Sequence, residues 1–104
     1  MTPEGKIAAY LVKRCKEYGF HQRKLSYEGR RGAPDRMIIT DCGIAFVELK
    51  APGQKPRVEQ RRELALLELA GQMVFVCDSA SSVEEMLEKI WSVVQTERMI
   101  PRCR

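Results

Sequence analysis

Histidine is nearly missing from this sequence: His21 stands alone among 104 residues. One imidazole leaves almost no material for a zinc hydrolase site or for Ser-His or Cys-His nucleophilic catalysis, and His21 itself reads as a surface strand residue. The four cysteines, Cys15, Cys42, Cys77 and Cys103, lie far apart and form no C-x-x-C. That spacing argues against a disulfide framework or zinc knuckle and for reduced thiols in a cytoplasmic compartment. The first residues lack an apolar signal core, and no uninterrupted apolar run approaches the roughly 18 residues of a membrane span. A soluble, intracellular protein with no membrane partner is therefore expected. Repeats, low-complexity stretches and linkers are also missing, and 104 residues make one domain (1–104) but not two. Positive charge is in excess, with 18 Lys and Arg against 14 Asp and Glu and a net charge of +4. That balance suits a polyanionic partner and equally an ordinary basic surface.

Local signals divide the chain into seven elements. Thr2-Pro3-Glu4 reads as an N-cap, a first-turn proline and a first-turn acid, and Ile7, Ala8, Leu11, Val12 and Cys15 recur at helical spacing until Gly19, predicting a helix from Pro3 to Tyr18. Phe20 to Tyr27 is a weak, polar strand, followed by the flexible basic loop Glu28-Gly29-Arg30-Arg31-Gly32. Asp35 to Thr40 and Ile44 to Lys50 are rich in β-branched and aromatic residues around Asp41-Cys42-Gly43, a natural hairpin. After the proline-containing loop 51–56, Arg57 to Ala70 is helical and stopped by Gly71. Gln72 to Cys77 is a nearly continuous apolar run, the pattern of a central strand covered on both faces. Ser81 and Ser82, each with a Glu three residues on, offer a capping box for a last helix with the stripe Val83, Met86, Leu87, Ile90, Trp91 and Val94. From about Glu97 onward, 97–104 reads as a basic, frayed tail. The order α-β-β-β-α-β-α, with a strand-helix-strand crossover from Ile44 to Cys77, implies an α/β fold with a mixed sheet and helices on both faces.

Charge interrupts the hairpin. Alternation puts Glu48 and Lys50 on one strand face, about 7 Å apart, and the aliphatics Val47 and Leu49 on the other. A two-residue loop at the turn sets Asp35 across from Glu48 or Lys50, whereas a three-residue loop faces it away. If the three converge, two close carboxylates must share a proton or bind a cation. Oxygen ligands without histidine or thiolate select Mg²⁺ or Mn²⁺, and a lysine beside such an ion can orient water and stabilise a pentavalent oxyanion. These are the parts for phosphodiester hydrolysis. Glu4 sits at the end of the first helix's apolar stripe, either as a further carboxylate for this site or as an acid stabilising the helix N-terminus.

Gly32-x-Pro34-Asp35, then Glu48-Leu49-Lys50, then Gln60 in a following helix, then Gly71 and an apolar strand, resembles the PD-(D/E)xK nuclease superfamily and, within it, the VRR-Nuc family. Asp35 and Glu48 are thirteen positions apart, and the resemblance covers roughly Glu4 to Cys77. It implies a restriction-endonuclease-like αβββαβ core, here with an added C-terminal helix. It further implies Asp35, Glu48 and the Leu49 carbonyl as metal ligands, Lys50 as the catalytic lysine, Gln60 as the helix glutamine of the catalytic set, and Glu4 as the N-terminal helix acid. The loop 51–56 departs from the family in being less polar than many that follow the Glu-x-Lys. Stand-alone members of this kind are associated with phages and resemble Holliday-junction resolvases that work as homodimers, which implies action in the cytoplasm of a bacterial host.

Two features of the residues bear on substrate and assembly. Leu64, Ala65, Leu66, Leu67, Leu69 and Ala70 cover more helix surface than one core needs, as in a homodimer interface or in a helix end buried within one subunit. Arg23, Lys24, Arg30, Arg31, Lys55, Arg57, Arg61 and Arg62 flank the site in sequence and suit DNA phosphates without reading bases. The expected function is thus a Mg²⁺- or Mn²⁺-dependent endonuclease that cuts branched DNA, four-way junctions foremost, as a homodimer with no organic cofactor. A flap or nicked-duplex endonuclease and a non-catalytic DNA-binding module on a nuclease fold are the alternatives.

Overall fold

The computed structural model describes residues 1–99 of the chain. Thr2 caps the first helix, its Oγ1 accepting the Gly5 N–H at 3.0 Å, and Pro3 opens α1 (Pro3–Tyr18). Gly19 closes it in the left-handed conformation, at φ 80°, where a residue without Cβ carries no strain. Strand β1 (His21–Lys24) is shorter than the expected Phe20–Tyr27, because Phe20 turns into the core and the chain leaves the sheet after Lys24. β2 (Arg36–Thr40) and β3 (Gly43–Leu49) form the hairpin, then come α2 (Val58–Leu69), β4 (Met73–Cys77) and α3 (Ala80–Met99). The sheet order is β1-β2-β3-β4, antiparallel except for the parallel pair β3–β4 across the α2 crossover. The mixed sheet is the expected one.

Alternation along β2 and β3 sorts the sheet's faces. Ile38, Ala45, Val47 and Leu49 point to one side, where they pack with Cys77 against Ile7, Leu11 and Cys15 of α1 and Val83, Leu87, Ile90 and Val94 of α3. The side chains between them point to the other side, where Glu48 meets Gln60 of α2, a helix whose buried residues are only Gln60 and Leu64. Two layers of unequal quality result: a dry core under α1 and α3, and a thinner, partly polar one under α2.

Three expectations need correcting. β4 is an edge strand, paired only with β3, and Val76 is 42% exposed. Its apolar run reflects the contacts with α2 and α3, and among the described residues no strand pairs along its outer edge. The last helix begins earlier than the Ser81–Ser82 box: Ser79 Oγ accepts the Ser82 N–H and Ser82 Oγ accepts the Ser79 N–H, both at 3.0 Å. Glu84 is thereby free to reach α1, where Arg14 Nε and the Tyr10 hydroxyl donate to Glu84 Oε1 at 2.5 Å. Finally, positions 97–99 of the expected tail are the end of α3, while 100–104, Cys103 among them, lie outside the described residues. Cys15, Cys42 and Cys77 are free thiols, His21 is exposed on β1, and no helix among the described residues is long and apolar enough to cross a membrane.

Candidate active site

The hairpin turn fixes the site. Asp41-Cys42 is a two-residue loop that pairs Thr40 with Gly43 and Arg36 with Val47, so the next position, Asp35, stands across from Glu48. No bulge is required. Thr40 Oγ1 accepts the Cys42 N–H at 3.1 Å and donates to the Gly43 carbonyl at 2.9 Å, tying the turn to this register. Beyond β2, the Asp35 carbonyl accepts the Leu25 N–H at 2.9 Å and Asp35 Oδ2 accepts the Leu49 N–H at 2.8 Å. One oxygen of Asp35 therefore holds the backbone of the Glu-x-Lys strand and leaves the other to act elsewhere.

Glu48 is the centre. Only 1% of it is exposed, yet its Oε2 accepts from Gln60 Nε2 at 2.5 Å and lies 3.2 Å from Lys50 Nζ. Its Oε1 is buried with no partner among the described residues. Burial pushes the Glu48 carboxyl above the usual range, the nearby Asp35 charge pushes the same way, and Lys50 partly offsets both. Gln60 is itself anchored, because its Oε1 accepts the Arg57 N–H at 2.8 Å while its amide donates to Glu48. A side chain locked at both ends orients the carboxylate so that one oxygen is spent and one is not.

The chemistry of these donors suits a hard divalent cation. Asp35 and Glu48 each keep an oxygen uncommitted, and a cation is the group that would satisfy the buried Glu48 Oε1. Glu4 and Leu49 line, with Asp35, a cavity of about 410 Å³ at the N-terminal end of α1. Among the described residues, no three acidic, histidine or cysteine side chains form a ready-made cage. Glu4 thus shares the cavity without closing a third side-chain ligand on the Asp35–Glu48 pair.

The basic residues scatter more widely than their sequence positions suggest. Lys24 lines the Asp35 cavity, whereas Arg23, one position away and so on the other face of β1, folds back onto the Gln22 carbonyl at 2.8 Å. Arg31 and Arg57 flank a second cleft, of about 520 Å³, beside Gln60, and Arg30, Arg31 and Arg62 share a third with Glu59 and Glu63. Arg61 turns instead into the groove between α2 and β4, and Lys55 is exposed on the preceding loop. Two residues escaped the sequence reading. Arg36 lines the Asp35 cavity opposite Lys24, which the strand register alone reveals. Glu63 holds the basic loop to α2, its Oε2 accepting the Tyr27 hydroxyl at 2.7 Å and its Oε1 lying 3.8 Å from Arg30. No local pattern announces that contact.

No protein-family model matches the chain. A curated phage protein, "Putative nuclease p44" of Acyrthosiphon pisum secondary endosymbiont phage 1, is 44% identical over 77 residues, which is 73% of this chain and 83% of that protein. A solved structure titled "VRR_NUC domain" superposes with a TM-score of 0.79 at 41% identity, covering 85% of this chain and 97% of the other.

Proposed function

The chain belongs to the VRR-Nuc family, and from that membership we propose that it is a metal-dependent endonuclease that hydrolyses phosphodiester bonds in branched DNA as a homodimer. The observation that carries the chemistry is the convergence of Asp35, Lys50 and Gln60 on a buried Glu48 whose Oε1 is unpartnered.

Asp35, Glu48 and the Leu49 carbonyl would hold Mg²⁺ or Mn²⁺, with Glu4 acting through water. When bound, the cation supplies Lewis acidity to the scissile phosphate and lowers the pKa of an attacking water. Gln60 keeps the Glu48 carboxylate in the ligating orientation, and the Leu49 N–H does the same for Asp35. Lys50, held 3.2 Å from Glu48 Oε2, orients the water and meets the negative charge that develops as the water oxygen bonds to phosphorus and the opposite P–O bond breaks.

Support for a two-fold dimer comes from α2 and β4. Leu66 and Leu69 are 56% and 86% exposed, Val76 is 42% exposed, and β4 has an open edge. Two copies related by a two-fold axis would present two cutting sites to the two symmetric strands of a four-way junction. The test compares a four-way junction, a 5′ flap and nicked duplex in Mg²⁺ and Mn²⁺, with Asp35→Ala as control. The junction is expected to be cut fastest and the control not at all. Faster flap cutting would change the substrate, and a fully active Asp35→Ala would overturn the site.

A further inference from the structure

Lys24 and Arg36 are direct partners across the antiparallel pair β1–β2, so two cations stand side by side on one sheet face. Like charges at opposed positions weaken a sheet unless something between them is negative. No carboxylate among the described residues comes within 4.0 Å of either. Their one side-chain hydrogen-bond partner among the described residues is neutral: Gln22 Oε1 accepts from Arg36 Nη1 at 2.5 Å. That bond fixes the guanidinium plane and leaves its other N–H donors unspent, while Lys24 keeps all three of its own. Both side chains line the same 410 Å³ cavity as Asp35 and Glu4, so their unneutralised charge is concentrated beside the carboxylates.

We propose that Lys24 and Arg36 form a clamp for one DNA backbone phosphate adjacent to the scissile bond. A phosphate between them converts their repulsion into two attractions, with the Arg36 fork taking two oxygens and Lys24 acting as a point charge. The clamped group is not the scissile phosphate itself. Strand alternation puts Arg36 on the Val47 face, whereas Glu48 and Lys50 occupy the opposite face, so the strand must cross the sheet end at Asp35 between them. The clamp thereby sets which phosphate reaches the metal-binding carboxylates without reading any base.

The inference rests on the nuclease reading for its biological meaning, but its test is binding, which needs no cleavage. Affinity for a labelled four-way junction and a plain duplex is measured in Ca²⁺ from about 50 to 200 mM salt for the wild type, Lys24→Gln, Arg36→Gln and the double variant. One shared phosphate predicts that the double variant loses about 0.9 from the slope of log affinity against log salt. Its fall in affinity over that range shrinks about threefold, equally on both DNAs. Lys24→Gln, at an exposed position, is expected to melt no lower than the wild type, because it removes a repulsion. An unchanged slope, or a double-variant loss of about 1.8 that marks two separate phosphates, overturns the clamp. A wild type that cuts no DNA while the predicted slope change holds leaves the clamp standing and sinks the nuclease reading instead.

Discussion

Glu48 shows at the level of one side chain how this site is held ready at the expense of stability. A carboxylate that is 1% exposed and has one oxygen without a partner among the described residues forgoes hydration that Lys50 and Gln60 only partly replace. Its carboxyl is raised by burial and by Asp35, so the folded protein binds that proton more tightly than the unfolded chain does. Stability therefore falls as pH rises from the ordinary glutamate value through the raised one, and stays lower above it. Glu48→Gln keeps the shape and the Gln60 contact but removes the charge. In metal-free protein it is expected to be more stable than the wild type by about 1 kcal/mol at neutral pH, with the gap closing in acid, as thermal melts across pH would read. Cleavage by the same variant should fall at least about a hundredfold, because a neutral amide ligates a divalent cation poorly. Lys50→Ala has the opposite stability sign. It strips the cation that offsets the buried charge, so the metal-free variant is expected to lose about 1 kcal/mol or more on top of its activity.

Elements carry these residues into place, and the loop before β2 does so through one glycine. Gly32 has φ 96°, and a Cβ there would stand 2.7 Å from the Glu59 carbonyl oxygen of α2. Gly32→Ala must therefore strain the backbone and push the loop off the helix, at a cost of about 1–3 kcal/mol read by chemical denaturation. Mn²⁺ affinity should weaken at the same time, because Asp35 sits three residues on. Unchanged Mn²⁺ binding would show that the loop does not position Asp35. At the other end of the core, Arg14 and Tyr10 hold the Glu84 carboxyl below the usual glutamate range. The stability this tie adds is present above the ordinary glutamate value and lost as pH falls through the lowered one. Glu84→Gln should accordingly lower the melting temperature at neutral pH and flatten its decline in acid. How legible each element was in the sequence follows from how local its signals are. The helix Pro3–Tyr18 was readable to the residue because Thr2-Pro3 and Gly19 are caps that need no tertiary contact. The Asp35–Glu48 pairing was readable as one of a few registers, and the Thr40 hydroxyl that selects among them acts through backbone groups two and three residues away. The edge position of β4 was not readable, because a short apolar strand reads the same at the edge of a sheet as at its centre. The Ser79–Ser82 cap is not legible beside Ser81 and Ser82, because only a tertiary contact, Glu84 with Arg14 on α1, takes the expected capping acid away from the helix end.

At the scale of the whole molecule, the unequal layers on the two sheet faces bear on assembly. α2 buries only Gln60 and Leu64, and the first of these is spent on Glu48, so the helix that orients the central carboxylate is held to the sheet by little fully buried apolar surface. Leu66 and Leu69 are exposed on α2, and a groove of about 410 Å³ between α2 and β4 is lined by Leu64, Ala65, Val74, Phe75 and Val76. An open strand edge beside an apolar helix face is a surface that soluble proteins cover. An isologous contact would place α2 and β4 against their own copies about a two-fold axis. Leu69 is 86% exposed in the single chain, so Leu69→Lys removes nothing from the subunit core. Sedimentation is expected to find the wild type dimeric and Leu69→Lys, or Val76→Lys on the strand edge, shifted toward monomer by tenfold or more in dissociation constant. Paired cuts on a four-way junction should then give way to single nicks, while metal binding by each subunit persists because Asp35 and Glu48 lie within one chain. A wild type that sediments as a monomer at micromolar concentration and still makes paired cuts would rule out the dimer and leave the α2–β4 face to a different partner.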